Sequence, residues 1–119
     1  MDKENYLVAV ASSDGIVVNC HFGRAEKFYI YKVSEEELVE FIEERMVTPV
    51  CEGGNHDGNK LRENLSRFSD CKYLMVSRIG NGAATLAEEM GIIPMELPGE
   101  ICESINRLVT YQKIQNLFT

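Results

Sequence analysis

The chain has 119 residues, 45% of them hydrophobic, so we expect a single domain over residues 1–119 with a buried core of its own. Its net charge of −7 argues against a protein that follows nucleic-acid phosphates, because such a protein carries a basic face. The first residues contain no apolar signal segment and no run reaches membrane-spanning length, which predicts a cytoplasmic protein with reduced thiols.

The pattern of apolar residues predicts five strands and three helices. Apolar and β-branched runs indicate the strands, and stripes with helical spacing indicate the helices. The segment 38–47 contains Glu and Leu, which favour a helix, but its apolar residues form no helical stripe, so we predict a strand there. Pro94 suggests that the fifth strand lies at a sheet edge. In chain order the elements are strand 1 (6–11), a short extended piece (16–18), strand 2 (27–33), strand 3 (38–47), a helix (58–69) capped by Asp57, strand 4 (73–77), a helix (83–90), strand 5 (92–95) and a last helix that begins at Pro98.

This order of elements predicts an α/β unit in which polar loops meet at one rim. If strand 4 pairs with strand 1, the sheet order is 3-2-1-4-5, with strand 2 running against its neighbours. Ligands of open α/β sheets bind beyond the strand ends where the order reverses, here between strands 1 and 4. The segments expected at this rim are Ser12–Gly15, Cys20–Ala25, Cys51–His56 and Ser77–Gly82.

Several of these rim residues are candidate metal or anion ligands. Cys20 and His21 are adjacent, so in an extended chain they point in opposite directions, and one is expected inside and one exposed. Cys51 is a candidate soft ligand and His56 a weaker one, whereas Cys71 and Cys102 are predicted to be small core residues. Arg24, with backbone N–H groups near Gly23, Gly80 and Gly82, could hold an anion at a helix N-terminus.

Many of the acidic residues lie in and on either side of strand 3, with only Arg45 among them. A solvated, solubilising edge would explain this concentration, and so would a docking surface for a basic partner. The residues are Glu35, Glu36, Glu37, Glu40, Glu43, Glu44 and Glu52.

Two motifs carry a resemblance to a known family. The run Val8–Gly15 (Val-Ala-Val-Ala-Ser-Ser-Asp-Gly), followed by His21–Phe28 (His-Phe-Gly-Arg-Ala-Glu-Lys-Phe), resembles the dinitrogenase iron–molybdenum cofactor biosynthesis family. This family includes the NifX and NafY proteins and the C-terminal domain of NifB. The resemblance covers nearly the whole chain, with further matches at Cys51–Gly54, Asp70-Cys71, Ser77–Gly80 and Gly91-Ile92.

The resemblance implies a ribonuclease-H-like three-layer fold with a mixed five-stranded sheet, strand 2 antiparallel and helices on both faces. It also implies a non-enzymatic carrier that binds an iron–sulfur or iron–molybdenum-type cluster as transient cargo and passes it from a donor to an acceptor protein. The histidine of the His-Phe-Gly motif is the expected cluster contact, which is His21 in this chain. Such a protein is expected to be a monomer or a weak homodimer, with no nucleic-acid or membrane partner.

The predicted site therefore combines the rim residues with this resemblance. The cargo-binding residues are His21, Phe22, Gly23, Arg24, Ser12, Asp14, Ser77 and Gly80, and the metal ligands are His21 and Cys51.

Two other functions are compatible with the sequence. One is a mononuclear zinc or iron site that uses Cys20 or His21 with Cys51 and His56. The other is a protein–protein adaptor that uses the acidic edge of strand 3. A hydrolase built on Asp14 is weaker, because only Glu26 and Glu52 could join it at this rim.

Overall fold

A five-stranded mixed sheet with helices on both faces forms the centre of the protein. The computed structural model describes residues 5–34, 38–48 and 58–118. The elements are β1 (Tyr6–Ala11), β2 (Val17–Val18), a 3₁₀ turn (Phe22–Arg24), β3 (Lys27–Val33), β4 (Val39–Met46), α1 (Gly58–Ser66), β5 (Tyr73–Val76), α2 (Asn81–Glu89), β6 (Ile93–Glu96), β7 (Gly99–Glu100) and α3 (Ile101–Leu117).

The five long strands pair in the order β4-β3-β1-β5-β6. β3 is antiparallel to both β1 and β4, whereas β1, β5 and β6 are mutually parallel. This is the order predicted from the sequence, with β3 as the predicted antiparallel second strand. The ribonuclease-H-like classification stays a prediction from the resemblance.

The two faces of the sheet are covered by different helices. Successive residues of a strand point to opposite faces, so Ala9 and Ala11 face one layer while Val8 and Val10 face the other. The first layer contains α1 and α2 and the second contains α3. The core residues of these layers are Leu65 of α1, Phe68 of the turn after α1 and Ala87 of α2 on one face, and Ile101, Ile105, Leu108 and Val109 of α3 on the other.

Two features of strand placement agree with the sequence prediction. The segment predicted as strand 3 is β4, and Pro94 lies in β6, at an edge of the sheet. The predicted helix cap Asp57 lies outside the described residues.

The helix bounds differ from the prediction, most of all for α3. The prediction that Pro98 begins this helix is wrong, because Gly99–Glu100 pair with β2 instead and the helix begins at Ile101. Gly99 has φ +125°, which is not a helical conformation. α2 begins two residues earlier than predicted, and α1 ends at Ser66, before a turn over 67–70.

The two cysteines predicted to lie in the core have different environments. Cys71 is buried, as predicted, and burial together with the Asp70 charge raises the pKa of its thiol to about 12. The prediction for Cys102 is wrong, because this residue is exposed. It follows Ile101 on α3, and one step along a helix turns the side chain by about 100°, away from the stripe that packs on the sheet.

An ion pair ties β4 to the turn after α1. Both outer nitrogens of Arg45 donate to the Asp70 carboxylate at 2.8 Å, and one of them also donates to the carbonyl of Arg67 at 2.7 Å. The hydrogen bond from Arg45 lowers the pKa of Asp70 below its ordinary value of 3.8.

We expect Asp70→Asn to destabilise the fold by less than about 1 kcal/mol at neutral pH, because the carboxylate is 52% exposed and solvent screens the pair. A carboxyl whose pKa is lowered by folding stabilises the protein above its unfolded pKa and loses that effect as the pH falls through the folded value. The difference between wild type and variant should therefore be constant well above pH 3.8 and be lost only as the pH falls through the lower pKa of the folded state. Urea unfolding at a series of pH values measures this difference, and a difference that persists in acid would contradict the assignment.

Candidate functional site

Three of the four rim segments predicted from the sequence meet at the carboxyl ends of β1, β5 and β6. Residues 20–22 run alongside the end of β5: the N–H of Ser77 donates to the carbonyl of Cys20 at 3.0 Å, and the N–H of Phe22 donates to the carbonyl of Arg78 at 2.9 Å. His21 and Arg78 thereby form a parallel bridge. The fourth segment, Cys51–His56, lies outside the described residues.

The His-Phe-Gly-Arg motif is a tight turn anchored by its aromatic residue. The His21 carbonyl accepts the N–H groups of Arg24 at 3.1 Å and Ala25 at 3.0 Å. The Phe22 ring is 3% exposed and packs 6.0 Å from the Phe28 ring in the core. With Phe22 held inside, its neighbours His21 and Arg24 are exposed to solvent at the rim.

The motif forms one wall of a cleft of about 500 Å³. The opposite wall comes from the β5–α2 connection and the end of β6. The residues that line the cleft are His21, Phe22, Gly23, Arg24, Arg78, Ile79, Gly80, Asn81 and Glu96.

The N-terminus of α2 opens into this cleft. Gly80 precedes the helix, no side chain caps it, and its first turn contains no acidic residue. The N–H groups of that turn lack intrahelical partners and carry the positive end of the helix dipole, an arrangement that favours anions. Arg24 and Arg78 add two guanidinium groups. The single opposing carboxylate is Glu96, which accepts the N–H of Ile79 at 2.9 Å.

A second cleft of about 300 Å³ lies on the other side of Arg24. Cys20 lines this second cleft whereas His21 lines the first, and Cys20 is half-buried while His21 is exposed, as the alternation of an extended chain predicted. Burial and the negative charge of Asp14 raise the pKa of the Cys20 thiol, so it stays protonated at neutral pH. The residues that line the second cleft are Ser12, Ser13, Cys20, Arg24, Glu26, Lys27 and Met46.

Two predicted cargo-binding residues, Ser12 and Asp14, hold the turn after β1. The Ser12 hydroxyl accepts the N–H groups of Asp14 and Gly15 and donates to the Asp14 carboxylate at 3.1 Å. That carboxylate accepts the N–H groups of Ile16 at 2.9 Å and Val17 at 3.1 Å, and these bonds lower its pKa. Ser12 lines the second cleft, whereas Asp14 lines neither, and Ser77 lines neither as well.

The sequence analysis placed the segment Ser77–Gly82 at the rim but did not name its Arg78 or Asn81 as binding residues, and it did not place Glu96 there at all. Arg78 stands inside the segment Ser77–Gly80 that carried part of the resemblance, so its position was a usable signal. Glu96 ends β6, and the parallel pairing of β6 with β5 brings it to the same rim. The predicted fifth strand ended at residue 95, so Glu96 was not recognised as the last residue of this strand.

Neither a mononuclear metal site nor a membrane-spanning helix is found in the described part of the chain. Within residues 5–34, 38–48 and 58–118, no three His, Cys, Asp or Glu side chains are grouped so as to hold a metal ion. In the same residues, no helix combines the length and apolar character needed to cross a bilayer.

Fold and site together define a small α/β protein with a cleft at the carboxyl ends of its parallel strands, and two arginines line this cleft. A profile of the family described as "Dinitrogenase iron-molybdenum cofactor" matches residues 4–111. The chain belongs to this family, as its motifs indicated, and the names of its relatives connect it with iron–molybdenum cofactor biosynthesis and nitrogen fixation.

Among curated relatives, the FeMo cofactor biosynthesis protein NifB of Klebsiella pneumoniae is 39% identical over 95 residues, which cover 74% of this chain and 20% of that protein. NifB of Chlorobaculum tepidum is 30% identical over 119 residues, or 98% of this chain and 27% of that protein. Protein NifY of Klebsiella pneumoniae is 32% identical over 108 residues, or 87% of this chain and 45% of that protein. The chain thus spans less than half the length of each of these three relatives.

Two solved structures have a similar fold. The crystal structure of PH0822 superposes with a TM-score of 0.67 at 22% identity, covering 87% of this chain and 90% of that one. An NMR structure of a putative NifB protein from Thermotoga superposes with a TM-score of 0.55 at 24% identity, covering 88% of each chain.

Proposed function

We propose that the domain formed by this chain is a non-enzymatic carrier that binds an iron–sulfur or iron–molybdenum-type cluster as transient cargo in the first cleft. The observation that supports this most is the convergence of His21, Arg24, Arg78 and the uncapped N-terminus of α2 on one cleft. Donor and acceptor proteins of cofactor assembly in the cytoplasm would load and unload it.

The chemistry of these groups suits an anionic metal cluster. A neutral imidazole can ligate iron, and the guanidinium and backbone N–H groups can balance negative charge on the cluster. His21 is exposed, and the cleft opens to solvent at the rim, so cargo can enter and leave without unfolding. Glu96 limits the positive charge of the cleft, which favours release over permanent retention.

The predicted ligand Cys51 is proposed as a second contact to the cargo. It belongs to the segment 49–57, which lies outside the described residues. A simple zinc or iron ion needs three or four protein ligands. Among the described residues, His21 is not grouped with two further potential metal ligands. A cluster that contains its own sulfide needs fewer protein ligands than a single ion does.

Anaerobic titration of the apo-protein with an iron–sulfur cofactor precursor, followed by absorbance and electron paramagnetic resonance, tests the proposal. We expect stoichiometric binding, weakened about tenfold or more by His21→Ala, since losing one ligand or its support typically costs 10–100-fold in metal affinity. The bound material should contain acid-labile sulfide.

His56→Ala is the matched control, because the chain contains only these two histidines. Binding that His21→Ala weakens and His56→Ala leaves unchanged would support the first cleft. Failure of the wild type to bind the precursor would overturn the carrier proposal. Binding of iron or zinc without sulfide, lost in both variants, would favour the mononuclear site instead.

A further inference from the structure

Among the described residues, β4 is the last strand on one side of the sheet. It is eight residues long and pairs with β3 along one side, while along the other side it pairs with no strand in the described residues. An edge strand directs every second pair of backbone N–H and C=O groups outward, where an extended peptide can pair with them.

The exposed side chains of this edge are unusually apolar. Leu38 is 66% exposed, Phe41 50% and Met46 56%, and Val39 and Ile42 are exposed as well. Solvated edges are normally protected by polar or charged side chains on a short strand. This strand is eight residues long, and four of the eight are charged and four are apolar, so protection by charge does not explain the apolar half of its composition.

The charges on the same edge decide what kind of partner fits. Glu40, Glu43 and Glu44 are exposed, while the guanidinium of Arg45 is already occupied by Asp70 and Glu43. Within the described residues, Glu40 and Glu44 take part in no ion pair, although Glu40 stands opposite Lys32 in the ladder. A second copy of this acidic strand would be repelled, and a basic strand would be attracted.

The edge leads directly to the functional rim. Met46, the last residue of β4, lines the second cleft together with Arg24, which also lines the first. A strand bound along β4 would therefore end beside the second cleft, which Arg24 separates from the first.

We propose that β4 is a docking strand for an extended segment of a partner protein, with alternating apolar and Lys or Arg side chains, which adds to the sheet as a sixth strand. That the partner exchanges cargo with the first cleft rests on the proposed function. The pairing itself does not, and it can be tested without cargo.

The probe is a synthetic octapeptide that alternates Lys with Val, titrated into the apo-protein by calorimetry. Two control peptides alternate Glu with Val or contain a central Pro, which cannot complete a ladder. Hydrogen exchange followed by NMR locates the contact. We expect the basic peptide alone to bind and to slow amide exchange in residues 39–46.

The double variant Glu40→Gln/Glu44→Lys should weaken binding of the basic peptide about tenfold, because the exposed charges each contribute modestly to affinity. The matched control Glu88→Gln/Glu89→Lys makes the same change of charge on exposed positions of α2 and should bind as wild type does. Ile42→Lys removes apolar surface from β4 and should also weaken binding. Circular dichroism confirms that each variant is folded.

Several outcomes would overturn the proposal. They are no binding of the basic peptide, equal weakening by both double variants, or protection confined to residues outside β4. Dimers of the apo-protein in gel filtration that Ile42→Lys disrupts would show that a second copy, and not a basic partner, occupies the edge. The wild-type protein could bind the basic peptide and fail to bind the iron–sulfur precursor. That result would contradict the carrier function and would still support β4 as a docking strand.

Discussion

Replacing both Arg24 and Arg78 with glutamine is expected to weaken binding of an iron–sulfur cofactor precursor by at least about a hundredfold, since each hydrogen bond to a charged group contributes roughly 1.5–3 kcal/mol. The two guanidinium groups are the positive side chains of a cleft whose other charged lining residue is Glu96. Without them, the N-terminus of α2 would be the main source of positive potential facing the cargo. Anaerobic titration at two salt concentrations measures the loss and its electrostatic part.

Two comparisons separate this effect from a general change of charge. Arg62→Gln/Arg107→Gln removes the same charge from exposed positions that line neither cleft and should leave cargo affinity unchanged. Glu96→Gln removes the negative charge of the cleft, while its amide oxygen can still accept the N–H of Ile79, and it should tighten binding. If the control pair weakens binding as much as the Arg24/Arg78 pair, the cleft is not where the cargo lies.

The topology could be predicted from the sequence because the strands have strong local signals. The apolar run of β1 and the aromatic, β-branched run of β3 fix two neighbours, and the lack of a helical stripe over 38–47 indicates the third strand. Given those three and the assumed pairing of strand 4 with strand 1, which the structure shows as β5 with β1, the rim at the ends of β1 and β5 follows from chain direction.

The parts of the site that could not be predicted depend on contacts distant in sequence. Glu96 reaches the cleft only through the pairing of β6 with β5, and its carboxylate is fixed by an N–H group 17 residues earlier. The helix start at Ile101 was missed for a similar reason, because Gly99–Glu100 pair with β2, more than 80 residues away in sequence. Asp14 was predicted to contact cargo as part of the Ser-Ser-Asp-Gly motif, and the structure shows in addition that its carboxylate accepts backbone N–H groups of its own turn.

Phe22→Ala is expected to lower the free energy of unfolding by about 3–5 kcal/mol, the usual cost of deleting a buried aromatic side chain. The ring is almost fully buried and packs against Phe28, which in turn lies 4.6 Å from Phe68 between ring centres. Because folded domains are stable by only about 5–15 kcal/mol, this loss is a large fraction of the total. Urea unfolding at neutral pH measures it.

The same substitution should also weaken cargo binding while the protein is still folded, because Phe22 fixes the turn that places His21 and Arg24 on one wall of the cleft. Phe22→Leu keeps an apolar side chain at this position and should retain most of the stability and most of the cargo affinity of the wild type. Phe41→Ala is the control for loss of an aromatic ring, since Phe41 is half exposed on β4 and its removal should cost far less stability. If Phe22→Ala were no more destabilising than Phe41→Ala, the ring would not anchor the turn. If it were destabilising but bound cargo normally in the folded state, the position of His21 would not depend on the core.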